Sequence, residues 1–256
     1  MKKAFYSDLD NTLVYAGHKM GVSNLEIVPV ETYSNGGHGY MSKREIELIS
    51  TIIEDNLFIP VTTRSIDQAK RVDVFNQSQY AICSNGGTIL IEGEIDETYK
   101  DSIFSRIKEL GLDLDIERAS VERKYGQDLE INRIVDDCFL FIKAKDHVDM
   151  NIMLNEIIRS YKNTHYKVFN IGRKVYIIPF FISKEKAISY LNNKLGVTLC
   201  VGAGDSEMDR GFLKKVDYPI VPKHNSLFNN PYKSTETVGI LASEEILEYV
   251  IKVFEK

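Results

Sequence analysis

Phe5-Tyr6-Ser7-Asp8-Leu9-Asp10-Asn11-Thr12-Leu13, almost at the start of the chain, poses the first question. It reads as a short apolar strand that ends in two carboxylates one residue apart, followed by a hydroxyl and a return to apolar residues. In an extended chain alternate residues share a face, so Asp8 and Asp10 point the same way. Two anions side by side repel unless something positive joins them, and a metal ion is one candidate. Taken alone, Asp-x-Asp fits a solvated turn better than a metal site. The neighbouring segments have to decide.

Downstream, Ser42 and Glu45 have capping-box spacing, and Ile46, Ile49, Ile52 and Ile53 recur at helical intervals, which predicts a helix to about Asn56. Phe58 to Thr62 reads as a strand with Thr62-Thr63-Arg64 at its end. Ser65 and Gln68 form a second capping-box pair, so another helix starts directly after it. Tyr80 to Cys83 is a buried-type strand that Ser84-Asn85-Gly86-Gly87 turns into Thr88 to Ile91. Strand, helix, strand, helix, strand is the succession of a parallel sheet with crossovers. Between the first strand and the first helix, Tyr15 to Met41 is rich in Gly, Asn and Ser and holds one β-like run, Leu25 to Glu31. At that length a flap or hairpin near a site is expected. His18 and His38 fall in it and receive no role.

The pattern changes after Gly93. A helix near Ser102 to Leu110, a polar section to Asp136, a strand from Cys138 to Lys143, a helix from Val148 to Tyr161, and strands near Lys167 and Val175 make an antiparallel sheet carrying helices. The parallel pattern resumes at Ser183. Ala187, Ile188, Leu191 and Leu195 form a helix ending at Gly196. Val197 to Val201 is a strand leading into Gly202-Ala203-Gly204-Asp205-Ser206-Glu207-Met208-Asp209, and a helix follows to about Val216. Tyr218 to Val221 is a strand, and Glu244 to Phe254 closes the chain as a helix. The expected fold class is α/β: a Rossmann-like doubly wound parallel core from residues 1–88 and 181–256, with an inserted α+β domain over 89–180.

Composition narrows the function. The 256 residues are 43% hydrophobic and 27% charged, as in ordinary globular proteins. A net charge of −5 argues against a broad basic surface for nucleic acid. Basic clusters such as Arg118, Arg123 and Lys124, or Arg173 and Lys174, read as solvated faces. Cys83, Cys138 and Cys200 are far apart and flanked by apolar residues, which predicts buried thiols, and no Cys-x-x-Cys pair or histidine cluster suggests zinc. Met1-Lys2-Lys3 leads into a strand without the apolar run of a signal peptide, and the run Val175 to Ile182 is too short to span a bilayer. A cytoplasmic protein with neither nucleic-acid nor membrane partners is expected.

In open α/β sheets ligands bind beyond the carboxyl ends of the strands. Asp8 with Asp10, Thr62 with Arg64, and Asp205 with Asp209 all fall at such ends. Lys184 falls at a helix start, where the dipole makes a cation unfavourable unless an anion offsets it. Singly, each has an ordinary reading as a cap, a first-turn acid or a surface lysine. Three of them at strand ends and a fourth at a helix start are together harder to explain that way. Asp8-Leu9-Asp10-Asn11-Thr12, Thr62, Lys184 and Gly204-Asp205-Ser206-Glu207-Met208-Asp209 resemble the four motifs of the haloacid dehalogenase (HAD) superfamily of phosphotransferases. The insert resembles the C2-type cap of the subgroup that includes sucrose-phosphate phosphatase and the Cof-type sugar phosphatases, and Ser84 to Gly87 is similar to the Asn-Gly turn usual at that junction. Three positions depart from the pattern: Thr63 stands where glycine is common, Lys186 follows Lys184 where a small residue is frequent, and Met208 replaces a common asparagine.

The resemblance implies a Mg²⁺-dependent phosphatase, a monomer or homodimer, acting on a small phosphorylated metabolite such as a sugar phosphate. It implies that Asp8 attacks phosphorus and becomes an aspartyl phosphate, and that Asp10 protonates the leaving oxygen and then takes a proton from water. Thr62 and Lys184 would hold the phosphoryl group, with Thr63, Arg64 and Asn85 as further contacts. Asp8, the Asp10 backbone carbonyl and Asp205 would bind the metal, with Asp209 on it or nearby. Replacing Lys184 by Met is expected to hurt turnover more than folding. The cap is expected to close over the site and choose the substrate. A phosphomutase of the same fold and a non-catalytic phospho-ligand module are the alternatives.

Overall fold

A computed structural model of the chain describes residues 2–17, 25–33 and 36–256. The first part holds β1 (Lys3–Ser7), β2 (Tyr15–Ala16), β3 (Ile27–Thr32), β4 (His38–Ser42), α1 (Lys43–Asp55), β5 (Leu57–Pro60), α2 (Ile66–Ala69), α3 (Asp73–Asn76), β6 (Tyr80–Cys83), β7 (Thr88–Ile91) and β8 (Glu94–Ile95). Then come α4 (Glu97–Glu109), α5 (Leu114–Tyr125), β9 (Leu129–Val135), β10 (Phe139–Ala144), α6 (Met150–Tyr161), β11 (Tyr166–Ile171) and β12 (Lys174–Pro179). The chain finishes with α7 (Lys184–Leu195), β13 (Leu199–Ala203), α8 (Arg210–Leu213), β14 (Tyr218–Val221), β15 (Lys233–Ser234) and α9 (Ile240–Phe254). It divides into two compact units, Met1–Asp96 with Lys184–Lys256, and Glu97–Ser183.

In the first unit a five-stranded sheet runs in the order β15-β14-β13-β1-β5, and every neighbouring pair is parallel. Ala4, Phe5 and Tyr6 in the middle of β1 are buried on both faces, as a central parallel strand requires. Ile49 and Ile52 of α1 and Ile246, Leu247, Val250 and Val253 of α9 bury their apolar faces in one core with Phe5 and Phe58. The helix α1 starts where expected because Ser42 Oγ accepts from Glu45 N at 3.0 Å while Glu45 Oε2 accepts from Ser42 N at 2.6 Å. Beyond β5, a bridge between Val61 and Ile82 brings β6 alongside in parallel.

Several elements differ from the sequence expectation. The helix after Ser65 is two short ones, α2 and α3, because Val72 adopts an extended conformation and turns its side chain into the core. The antiparallel hairpins β6-β7 and β7-β8 extend the first unit to Asp96, past residue 88. Asp96 N closes this arm by donating to Ile89 O at 2.9 Å. On the return side the unit resumes at Lys184 rather than 181. The segment expected as a flap or hairpin does hold an antiparallel β3-β4 pair, extended by β2 into the sheet β2-β4-β3; His18 lies outside the described residues.

The second unit is an antiparallel sheet ordered β11-β12-β10-β9 with helices on one face. Leu140 and Ile142 of β10 pair with Ile177 and Val175 of β12 and pack with Val121, Met153 and Ile157 from the helices. The section read as merely polar contains α5, whose N-cap Asp113 accepts from Asp115 N and Ile116 N. Its charged exposed face leaves only Leu114, Val121 and Tyr125 buried, too few to announce a helical period. Cys83, Cys138 and Cys200 are buried free thiols. Among the described residues no helix is long and apolar enough to cross a membrane.

Candidate active site

Three adjacent parallel strands deliver the site. Asp8 follows β1, Thr62 follows β5 and Asp205 follows β13, so all three leave the same edge of the sheet. The ladder holds them in step: Asp8 N donates to Ala203 O at 2.9 Å and Val61 N to Ser7 O at 2.7 Å. Asn11, in the left-handed region at φ 59°, turns the chain back after Asp10, and Leu13 N and Val14 N return to Leu9 O.

Lys184, the first residue of α7, is 1% exposed. Its Nζ donates to Asp8 Oδ1 at 2.7 Å and to Asp209 Oδ1 at 2.6 Å. Burial opposes its charge, yet Asp209 and Asp8 more than offset that and push its pKa up. Lys186, two positions on and so on another side of the helix, is exposed.

Burial pushes the Asp8 carboxyl up to about 7; Lys184 pulls it down, while Asp209 and Asp10 push it further up. Asp205 is raised well above the usual carboxylate range by burial first, then by Asp8 and Asp209. Asp209 is fully buried and accepts through Oδ2 from Asp205 N at 3.2 Å, Ser206 N at 2.9 Å and Ser206 Oγ at 2.8 Å. Gly204 makes this possible, because a Cβ there would stand 2.5 Å from Asp209 Cβ.

Asp8, Asp205 and Asp209 offer carboxylate oxygens within 4.8 Å of one another. Hard oxygen donors this close suit a cation such as Mg²⁺. Both Asp209 oxygens already serve Lys184 and the 205–206 backbone, so Asp8 and Asp205 are the residues that could hold a cation directly, with Asp209 supporting them.

Asp10 stands apart from that cluster. Its half-exposed carboxylate takes a bidentate fork from Arg64, with Nε to Oδ2 at 2.9 Å and Nη2 to Oδ1 at 2.7 Å. The remaining Arg64 nitrogen, Nη1, pairs with Glu31 Oε2 at 2.8 Å. The structure therefore places Arg64 on two carboxylates. Thr62 is fully buried; its N donates to Ile82 O, its O accepts from Asn85 N, and its Oγ1 accepts from Arg64 N at 3.1 Å. Thr63 is half-buried beside it. Asn85 sits at φ 57° with its Oδ1 buried and unpartnered among the described residues, as is Thr12 Oγ1.

Two residues of the neighbourhood carry no sequence signal. Glu31 meets Arg64 only through long-range folding. His224 accepts from Gly239 N through Nδ1 at 3.3 Å, so its Nε2 carries the proton donated to Asn11 O at 2.9 Å. It thereby ties the turn after Asp10 in place.

A parallel α/β core interrupted by an antiparallel insert, with its carboxylates gathered at the strand ends around a helix-borne lysine, is the haloacid dehalogenase-like fold. Solved structures agree with that class. The sucrose-phosphatase from Synechocystis, solved with sucrose and phosphate, is similar over 98% of this chain and 99% of its own, at TM-score 0.68 and 15% identity. A HAD/COF-like hydrolase from Plasmodium vivax matches over 99% and 96% at TM-score 0.63 and 14% identity. A trehalose-6-phosphate phosphatase related protein matches over 99% and 100% at TM-score 0.58 and 18% identity. No protein-family model matches the sequence, and no curated protein sequence does. At these identities the likeness establishes the fold.

Proposed function

We propose that the protein is a Mg²⁺-dependent phosphomonoesterase acting on a small phosphorylated metabolite, a sugar phosphate by preference. The observation that carries this reading is Lys184, buried and shared between Asp8 and Asp209, with Asp205 completing the carboxylate cluster at the sheet edge. A structural ion pair needs one carboxylate. A lysine drawn between two of them, beside a third, leaves a cluster with excess negative charge that suits a further cation, and with that cation bound an anionic substrate can come within reach of Asp8 and Lys184.

In this reading Asp8 attacks phosphorus, the P–O bond to the alcohol breaks, and an aspartyl phosphate forms. Lys184 stabilises charge on the phosphoryl oxygens, and Thr62 and Asn85, at neighbouring strand ends, orient them. Asp10, once protonated and with one oxygen released from the Arg64 fork, gives that proton to the departing oxygen and later takes one from the water that attacks the intermediate. Asp8 and Asp205 would hold Mg²⁺, which when bound offsets the repulsion between the carboxylates and the substrate. Arg64 is better placed to hold Asp10 than to meet phosphate. The inserted unit Glu97–Ser183 would select the substrate. The relatives solved as sucrose-phosphatase and trehalose-6-phosphate phosphatase related protein support a sugar phosphate.

The test is phosphate release from a panel of phosphorylated metabolites with and without Mg²⁺. Release that needs the metal and disappears in Asp8→Asn is expected. Release undiminished by chelator, or retained in Asp8→Asn, would overturn the proposal.

A further inference from the structure

The rungs between β1 and β13 run to Asp8 N and Ala203 O, and beyond them the chain leaves both strands for loops. One loop turns after Asp8 and Asp10; the other carries Asp205. A third segment, residues 222–226 directly after β14, touches both. His224 Nε2 donates to Asn11 O at 2.9 Å, and Ser226 donates to Asp205 O through N at 2.7 Å and through Oγ at 3.2 Å. The loops bearing the candidate cation ligands Asp8 and Asp205 are thereby joined through a turn that bears none.

The joining turn is itself well braced. Pro222 O accepts from Asn225 N at 2.9 Å and from Asn225 Nδ2 at 2.8 Å, and Asn225 Oδ1 accepts from Leu227 N at 3.2 Å. Lys223 N donates to Thr235 Oγ1 at 2.9 Å, which fastens the turn to the chain after β15. The imidazole is held from two further directions: Nδ1 accepts from Gly239 N at 3.3 Å, and the ring meets Tyr15 edge to face at 5.7 Å. Tyr15 is buried and donates its hydroxyl to Thr12 O at 3.3 Å, so this ring contact also bears on the turn after Asp10.

Metal affinity depends on the groups that orient the ligands as well as on the ligands themselves. Mg²⁺ tolerates little departure from its preferred geometry, so the span between Asp8 and Asp205 has to be set before the ion arrives. We propose that His224 is a positioning residue for the cation: through Asn11 O it fixes the turn after Asp8 and Asp10 against the segment to which Ser226 fastens Asp205. This rests on the cation reading of the site given above. The feature that matters is an N–H donor at the reach of Nε2.

The experiment titrates the whole chain with Mn²⁺, an ion that takes the same oxygen ligands, and reads the free ion by its EPR signal in wild type, His224→Phe, His224→Asn and His224→Gln. Melting curves without metal accompany each. Phenylalanine keeps a ring against Tyr15 and has no donor; asparagine keeps an acceptor for Gly239 N and is too short to reach Asn11 O. Two such variants are used so that one unfolded protein does not decide the outcome. Glutamine brings an amide N–H close to the position of Nε2. The expected Kd for Mn²⁺ is about tenfold higher in His224→Phe and His224→Asn, the lower end of the loss when a group that orients the ligands is removed, and is largely restored in His224→Gln. A merely structural role would lower the melting curves and leave the Mn²⁺ affinity of the folded protein where it was. Wild-type affinity in a folded His224→Phe or His224→Asn, or an equal loss in all three variants, would overturn the positioning role. A wild type with no affinity for Mn²⁺ would overturn the cation reading itself, and this inference with it.

Discussion

Lys184 shows how one residue couples folding to chemistry. A lysine 1% exposed at the first position of a helix opposes both the dipole and its own desolvation. Asp8 and Asp209 at 2.7 and 2.6 Å make it tolerable. The sequence alone implies that Lys184→Met costs mainly turnover; the burial adds a cost to folding. Without the lysine two carboxylates stay buried with no cation, a change worth about 3–5 kcal/mol. We predict a melting temperature lower by on the order of ten degrees and a kcat lower by about 10²-fold or more. Melting curves and phosphate release on one preparation check both. An unchanged melting temperature would mean that the buried triad is not held together by Lys184.

Among the elements, α1 carries an unusual cap. Glu45 closes the capping box and is fully buried, where the exposed end of a helix would leave it solvated. Burial pushes its carboxyl up to about 8 from 4.5, against the hydrogen bonds from Ser243 and Ser42 that pull it down. A carboxyl raised in the folded state binds its proton more tightly there than in the unfolded chain. Its contribution to stability is therefore complete below about 4.5 and is lost as pH rises through about 8. Within that window each pH unit weakens the fold by up to about 1.4 kcal/mol. Glutamine keeps the box and has no proton to lose. Denaturant unfolding from pH 5 to 9 should show a shallower decline for Glu45→Gln than for wild type, and parallel declines would refute the assignment. The same helix illustrates what local sequence can reveal, since Ser42, Glu45 and the isoleucine spacing predicted it within a residue or so of its ends. The α5 helix escaped because three buried residues among charged ones give no period, and the α2–α3 break escaped because Val72 leaves the helical path for a reason that lies in the core.

Across the whole molecule, the parallel core was readable because parallel strands announce themselves as short apolar runs ending in polar turns, with helices between; the strand order was not. That same rule placed Asp8, Thr62 and Asp205 at one edge, where the register of β1 with β13 and β5 puts them. Lys184 was readable from its position at a helix start. What could not be read was pairing over distance. Arg64 looked like a phosphate contact because it follows Thr62, yet it lies on Asp10 and Glu31, and nothing within ten residues of Arg64 signals a carboxylate brought from β3. His224 likewise reaches Asn11 only after β14 has joined the sheet. The chemistry thus depends on a motif written locally and a supporting shell assembled by the fold. Its centre is the claim that Asp8 takes the phosphoryl group. Rapid acid quench of the protein with Mg²⁺ and p-nitrophenyl phosphate, followed by peptide mass spectrometry, tests this directly. The account predicts one phosphoryl group on the peptide containing Asp8 and none in Asp8→Asn; a phosphoryl group on any other residue, or steady turnover in Asp8→Asn, would contradict it.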